Sequence, residues 1–495
     1  MKVKSVVLCV VVMAQWLALE ARTLEVAVWR GETRTIILDD KVKLAQVPKG
    51  VEFTEGSARN VRWSEKKQSK KNPKKTVIVR HQLADRVEWD STAEGRRVLS
   101  IAVQPDAKPG IYEVGDLRLT ILNRVLPPAK DWQYALDLWQ HPWAVARTAK
   151  VAPFSPEHYT AMRPIWEQLA AAGQKALTVT LLDLPWNHQC YDGYHSMIRH
   201  IKQANGTWKF DYSIFDEYVV FGRSCGLGPD IACYTMCPWG YKVTWENEKG
   251  ETASAKAVPG TPAFAEYWGD FLVDFARHLK EKGWFDDTYL AMDERKPEDV
   301  KNICEFIQRK APGLKTSLCG NRAPSEFEGI RLDYVCFGFR HLTDKLLAEA
   351  AARRAAGMRT TYYVCCSPMY PNSMCHNRLE ESFWLGVYPA MVGLDGFLRW
   401  AWNSWPKEPM KDASFGKWPA GDTFLVYPDN SPSLRFLMLK NGIIAAEKIR
   451  ILKEQGLFKD EIAALASRFD RAAALKNETD FKAIEESVQQ LVNRQ

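Results

Sequence analysis

Two adjacent carboxylates, Asp293 and Glu294, end the apolar run Tyr289-Leu290-Ala291-Met292, and a helix-start pattern with Pro297 follows them. The run reads as a short strand. An acid pair at the carboxyl end of a strand is where a parallel barrel keeps its reacting groups. Side chains alternate faces along a strand, so both acids reach one mouth only where the backbone turns out of the strand. Adjacency also restricts the chemistry. Carboxylates that attack a glycosidic bond from opposite sides stand roughly 5 to 9 Å apart, which neighbouring residues do not naturally do. Neighbours suit the exception in which a 2-acetamido oxygen of the substrate is the nucleophile, one acid orienting it and the other protonating the leaving oxygen. The ordinary alternative is a helix cap or a surface pair.

Aromatic and polar residues gather at the ends of other strand-like runs. The chain has 19 tryptophans, and Trp139, Trp143, Trp186, Trp239, Trp400, Trp402 and Trp405 all stand at or just after such runs. Flat aromatic rings bind the C–H faces of sugars by dispersion. Trp400 and Trp402 share one face, so one of them is free to fill an interior. The polar candidates for hydroxyl recognition are His141, Asn187, His188, Gln189, Tyr191, Asp192, Tyr363, Asn372, Asn403 and Asp422. No Cys-x-x-Cys pair and no His/Cys zinc spacing occurs. Neither a metal nor an organic cofactor is expected.

The elements that must position these groups follow from hydrophobic rhythm. Residues 1–21, with two early lysines and an apolar core, read as a signal peptide, which implies export to the periplasm or outside. Residues 22–126 alternate in short runs such as LEVAVW and GIYEVGDLRLTIL, which predicts an antiparallel β-sandwich. From residue 127 to 430 strand-like and helix-period runs alternate, which predicts a (β/α)8 barrel. Its strands fall at 133–139, 176–184, 231–236, 288–293, 314–320, 333–339, 360–366 and 396–402. No convincing helix separates the fifth and sixth. TFLVYP, Thr423–Pro428, reads as a further strand-like piece. Residues 431–495 read as a helical segment covering the barrel.

Composition narrows the partners. The chain has 495 residues, 46% apolar and 26% charged, with a net charge of +7. Part of that excess is one run, KKQSKKNPKK (Lys66–Lys75), which reads as a solvated loop tip. No basic and aromatic groove suggests nucleic acid. Past the leader no apolar stretch is long enough for a stable membrane span. Ten of the 11 cysteines lie between Cys190 and Cys375, several in buried-looking runs, so at most a minority are expected in disulfides.

Several runs together are familiar: LDLWQHPWAVAR (Leu136–Arg147), LPWNHQCYDGYHSMI (Leu184–Ile198), YLAMDE (Tyr289–Glu294), YYVCC with YPN (Tyr362–Asn372), and GFLRWAWNSW with WPAGDTFLVYP (Gly396–Pro428). In order and spacing, from Trp132 to Lys448, they resemble the catalytic domain of glycoside hydrolase family 123. The resemblance implies a barrel behind a β-sandwich and an exo-acting β-N-acetylgalactosaminidase on glycolipid or glycan substrates. It also implies that Asp293 stabilises an oxazolinium-like intermediate and that Glu294 is the general acid/base. One departure is NGIIAAEKI (Asn441–Ile449), where relatives carry an acidic helix; an effect on packing is expected. A β-N-acetylglucosaminidase, another hydrolase on the same barrel, or a non-catalytic glycan-binding protein remain as alternatives. The sequence gives no oligomeric state.

Overall fold

The computed structural model describes residues 24–38, 41–68, 76–91 and 94–494. The expected leader and most of the Lys66–Lys75 run lie outside the described residues. The N-terminal region is two sheets around one apolar core that includes Val28, Leu99, Ile101, Leu117 and Leu119. One sheet orders its strands Leu24–Arg30, Leu117–Val125, Gly110–Val114; the other Thr33–Leu38, Arg96–Val103, Val51–Gln68, Thr76–Trp89. The expected antiparallel pairing holds except between Leu24–Arg30 and Leu117–Val125, which run parallel. Alternation reports which face is buried and not strand direction, so this pairing was invisible in the sequence.

Eight parallel strands, counted among the described residues, form the barrel sheet. They are β1 (Ala135–Leu138), β2 (Ala176–Thr180), β3 (Asp230–Tyr234), β4 (Thr288–Asp293), β5 (Lys315–Gly320), β6 (Tyr334–Gly338), β7 (Arg359–Tyr363) and β8 (Gly396–Arg399). Strand β8 pairs with β1. The β1–β2 seam has one backbone bridge, Leu136 to Gln174. Two buried glutamines complete it. The Gln174 amide accepts from Leu138 N (2.9 Å) and donates to Ala176 O (2.7 Å), while Gln140 Oε1 accepts from Thr178 N (2.8 Å). Side-chain amides thus stand in for ladder bonds and leave no bare edge.

Helices α1 (Pro142–Ala149), α2 (Pro156–Ala170), α3 (Ser213–Ser224), α4 (Pro262–Lys282), α5 (Pro297–Lys310), α6 (Asp344–Ala355) and α7 (Leu379–Val392) alternate with the strands. Between β5 and β6 there is only the 3₁₀ turn Pro324–Phe327, matching the expected irregularity. Several findings in the barrel depart from the sequence reading; the seventh and eighth strands also end early, at Tyr363 and Arg399 instead of residues 366 and 402. Helix α1 was unforeseen, because its eight residues carry too little periodicity. The second strand stops at Thr180 instead of Leu184. The loops after β2 and β3 build a four-stranded sheet (Arg199–Lys202, Trp208–Asp211, Lys242–Asn247, Thr252–Lys256). TFLVYP is a buried irregular segment with isolated bridges from Phe424 to Asn403 and Val426 to Pro432. Its apolar side chains are buried although it joins no named sheet.

Helix α8 (Leu434–Glu454) lies on α7 with backbones almost touching; a Cβ at Gly442 would come within 2.1 Å of Phe383 O. Three shorter helices follow, α9 (Lys459–Ala466), α10 (Arg471–Leu475) and α11 (Phe481–Val492), in line with the helical segment expected there. The departure at Asn441–Ile449 falls on packing contacts. The Asn441 amide bonds both backbone groups of Thr35, and Glu447 accepts from Tyr134 N (2.7 Å). The sandwich is keyed to the barrel by a buried ion pair, Arg435 with Asp85, which Tyr427 also joins (2.6 Å). Arg435 also donates to the carbonyls of Ser373, Gly421 and Phe424, so the same guanidinium pins the loop that carries Asp422. Among the described residues no helix is long and apolar enough to cross a membrane.

Candidate active site

Asp293 is the last residue of β4, and its side chain points into the barrel mouth from a buried position. Glu294 follows in the left-handed region, φ +51°, an unusual place for a side chain. Its N–H still bonds Cys319 O on β5 (2.8 Å). This single turn removes the obstacle of strand alternation, and both acids line one cavity. Tyr363, at the end of β7, donates its hydroxyl to Glu294 Oε1 (2.9 Å) and fixes that carboxyl. The Asp293 carbonyl accepts from Arg295 Nε (3.0 Å) and Trp239 Nε1 (3.4 Å).

Burial pushes the Asp293 carboxyl well above the usual carboxylate range, and the Glu294 charge beside it adds to the push; Arg295 and the Trp186 indole oppose it. Among the described residues the Trp186 N–H has no hydrogen-bond partner within bonding geometry. Asp293 therefore holds a proton more tightly than an ordinary carboxyl does. Burial likewise drives the Tyr363 phenol up, with help from both acids, so it stays a donor.

The cavity spans about 470 Å³, mouth included, and its wall is mainly aromatic: Trp139, Trp239, Trp400 and Trp418. Trp400 and Trp418 meet edge to face at 5.8 Å. Asp422 closes one side. Its Oδ1 takes hydrogen bonds from Arg399 (2.8 Å) and Trp400 Nε1 (3.3 Å), while Oδ2 has no protein partner among the described residues. Burial raises the Asp422 carboxyl, and Arg399 opposes the rise. Arg399 is itself fully buried and is steadied by Asn372 Oδ1 (2.9 Å).

The expected residues sort into three groups. Asp293, Glu294, Gln189, Trp239, Tyr363, Trp400 and Asp422 line the cavity. Trp186 and Asn372 stand behind it, Trp186 stacked on Trp139 at 4.9 Å and Asn372 under Arg399. The others do not line it. His141 is buried, caps α1 through Nδ1 (3.3 Å to Ala144 N) and stacks on Tyr194; burial lowers it to about 3, so the ring is neutral. Asn403 clamps the backbone of His141 through both amide atoms. Trp402 is buried against Phe436 (4.6 Å). Asn187, His188, Tyr191 and Asp192 sit on the outer loop after β2. There Asp192 pairs with Arg147 (2.8 Å), Arg147 lies over the Tyr191 ring, and His188 O accepts from Lys417. Position after a strand thus placed these residues near the mouth but could not say which way each points.

Trp418, Leu398, Cys319, Cys365 and Cys366 line the cavity without having been singled out. Trp418 lies four residues before Asp422 in WPAGD, and its Nε1 bonds Gln189 O (2.9 Å) across the mouth. That proximity was the one available signal. Among the described residues no cluster of His, Cys, Asp and Glu could hold a metal ion.

A family model described as Glycoside hydrolase 123, catalytic domain, matches residues 139–452. The fold is similar to that of a family 123 glycoside hydrolase from Clostridium perfringens, studied for glycolipid glycan hydrolysis. The TM-score is 0.81 with 23% identity, over 95% of this chain and 93% of that chain. Looser likenesses reach a glucosidase from Croceicoccus marinus (TM-score 0.34, 12% identity, 64% and 67% covered) and a β-galactosidase from Marinomonas ef1 (0.33, 13%, 67% and 62%). No curated protein sequence matches the chain.

Proposed function

The chain belongs to glycoside hydrolase family 123, and from that premise we propose that it is a retaining exo-hydrolase releasing terminal β-linked N-acetylgalactosamine. The observation that carries this reading is the adjacency of Asp293 and Glu294 in one cavity. Two acids joined by one peptide bond do not flank a sugar, so the nucleophile must come from elsewhere, and a 2-acetamido group supplies it. The acetamido oxygen attacks C1 while its N–H donates to the Asp293 carboxylate. Glu294 protonates the departing oxygen. Water then opens the oxazolinium ion with Glu294 as base, and retention results.

The upward push on the Asp293 carboxyl fits this division. An acetamido N–H directed at Asp293 favours its ionised form and leaves the proton for Glu294, which Tyr363 holds in place. The aromatic wall suits one sugar ring, and Asp422 Oδ2 is free to accept from a hydroxyl. The Clostridium perfringens neighbour, studied on glycolipid glycans, supports the same substrate class. Export follows as a proposal from the leader-like residues 1–21.

A panel of aryl β-glycosides tests the reading. Turnover of N-acetylgalactosaminides, weaker turnover of N-acetylglucosaminides and none of the 2-hydroxy analogues is the expected order. Equal rates with and without the acetamido group would overturn participation. A preference for the gluco epimer would overturn the sugar assignment alone.

A further inference from the structure

We propose that Cys365 and Cys366 are a thiol–disulfide exchange site in the cavity wall, oxidised by small-molecule disulfides to a vicinal disulfide that lowers turnover. Both follow β7 directly and line the cavity with the two acids. Their sulfurs lie 3.9 Å apart. Cys366 is the one exposed thiol among the described cysteines, all of which are free. Exposure makes Cys366 the attacking group, while the Cys365 thiol is engaged with Ser367 O; the Cys365 thiol beside it also pulls Cys366 down.

The exchange balances without a metal or an electron carrier. The Cys366 thiolate attacks one sulfur of the small disulfide, forming a mixed disulfide and releasing one thiolate. Cys365 gives up its proton and attacks Cys366 Sγ; the mixed bond breaks and the second small thiolate leaves. The protein loses two hydrogens, the small disulfide becomes two thiols, and both protons end on them.

Closure cannot be silent. Adjacent Cα atoms are ~3.8 Å apart, whereas bridged cysteines usually need about 4.4 Å or more. The ring therefore strains the chain around it, and a strained, exposed disulfide is readily reduced again. Tyr363, two residues upstream, places Glu294, and the Cys365 carbonyl accepts from Asn372 (2.9 Å), which steadies Arg399. Strain at residues 365–366 thus reaches the acid and the Asp422 support together.

The test uses the full chain, reduced and desalted, then exposed to oxidised glutathione. Peptide mass mapping should show the loss of two hydrogens on the peptide with both cysteines. With an aryl β-N-acetylgalactosaminide, kcat/KM should fall about tenfold or more, within what a 1 Å misplacement can cost, and dithiothreitol should restore it. Cys365→Ser should stop at a glutathione adduct on Cys366, and Cys366→Ser should form neither product. Free thiols at the pair, a stable wild-type adduct, or oxidation with unchanged kcat/KM would each overturn the proposal. The effect on turnover rests on the proposed function, whereas the mass result does not. A chain that turns over no glycoside while forming the ring would therefore indict that function, with tryptophan fluorescence then reporting whether the cavity responds.

Discussion

At the carboxyl end of the barrel Asp293 and Glu294 face a cavity; nearer the amino end Asp137 and Asp230 line a smaller one among Tyr289, Tyr334 and Cys336. Burial opposes ionisation at both ends. It raises the Asp137 carboxyl to about 7, helped by the nearby Asp230 charge, and Asp137 Oδ1 has no partner among the described residues. Asp230 is instead ion-paired with Arg359, whose guanidinium lies over the Tyr334 ring. The upper acids adjoin one another, stand at a left-handed turn and open onto an aromatic wall. The lower ones come from separate strands, and one of them is tied up in an ion pair. A perturbed carboxyl alone does not mark a reacting site; access and the geometry of its neighbours do.

If that contrast is sound, the largest effects belong to the upper pair. Glu294→Gln should lower kcat/KM on poor leaving groups by about 10²- to 10⁴-fold, with far less loss on activated aryl glycosides. Asp293→Asn should slow both, because in the proposed reaction Asp293 acts on acetamido attack. Equal losses for Glu294→Gln on the two leaving groups would argue against its role as acid.

Trp400 and Trp402 repeat the contrast at one strand end. Trp402→Ala should cost roughly 3–5 kcal/mol in urea unfolding, as for a buried ring. Trp400→Ala should instead raise KM about tenfold, equivalent to ~1.4 kcal/mol. Reversed readouts would mean the two rings have exchanged roles.

Asp137→Asn should leave kcat/KM nearly unchanged and alter stability. Between the ordinary value of 3.8 and about 7 the folded wild type keeps a proton that the unfolded chain has lost. Wild-type stability therefore falls as pH rises through this window. The variant lacks that loss and should gain on the order of 2–4 kcal/mol relative to wild type across it. Urea midpoints that stay parallel at every pH would remove this account.

The smallest effect is expected at His141. His141→Ala removes a helix cap and should cost about 1 kcal/mol. The pH profile of turnover should keep its shape, because the ring is neutral at any working pH. A shifted limb of that profile would place His141 in the chemistry after all.

Much of this was legible in the sequence. Strand runs with helix-period runs between them implied the barrel, and TYLAMDE put the acids at a strand end. The glutamine seam was hidden, because Gln140 and Gln174 look like any polar residues until β1 and β2 are brought together. His141 and Asn403 occupy positions after strands that suit recognition, yet their atoms are spent on a cap and a clamp. Trp418 arrives at the cavity from a loop with no periodicity to read, and Cys365 and Cys366 sit in a run read as strand although the strand ends at Tyr363.

The sequence by itself determined the order of the eight barrel strands and the place of the acid pair at the end of the fourth, since these depend on local spacing along one chain. Which residues meet in the cavity was decided only by tertiary structure. The left-handed turn at Glu294, the hydroxyl of Tyr363 and the Arg399–Asp422 pair come from β4, β7, β8 and the loop beyond. Their distances follow from barrel closure and from how the sandwich and α8 pin that loop, and no local pattern encodes either.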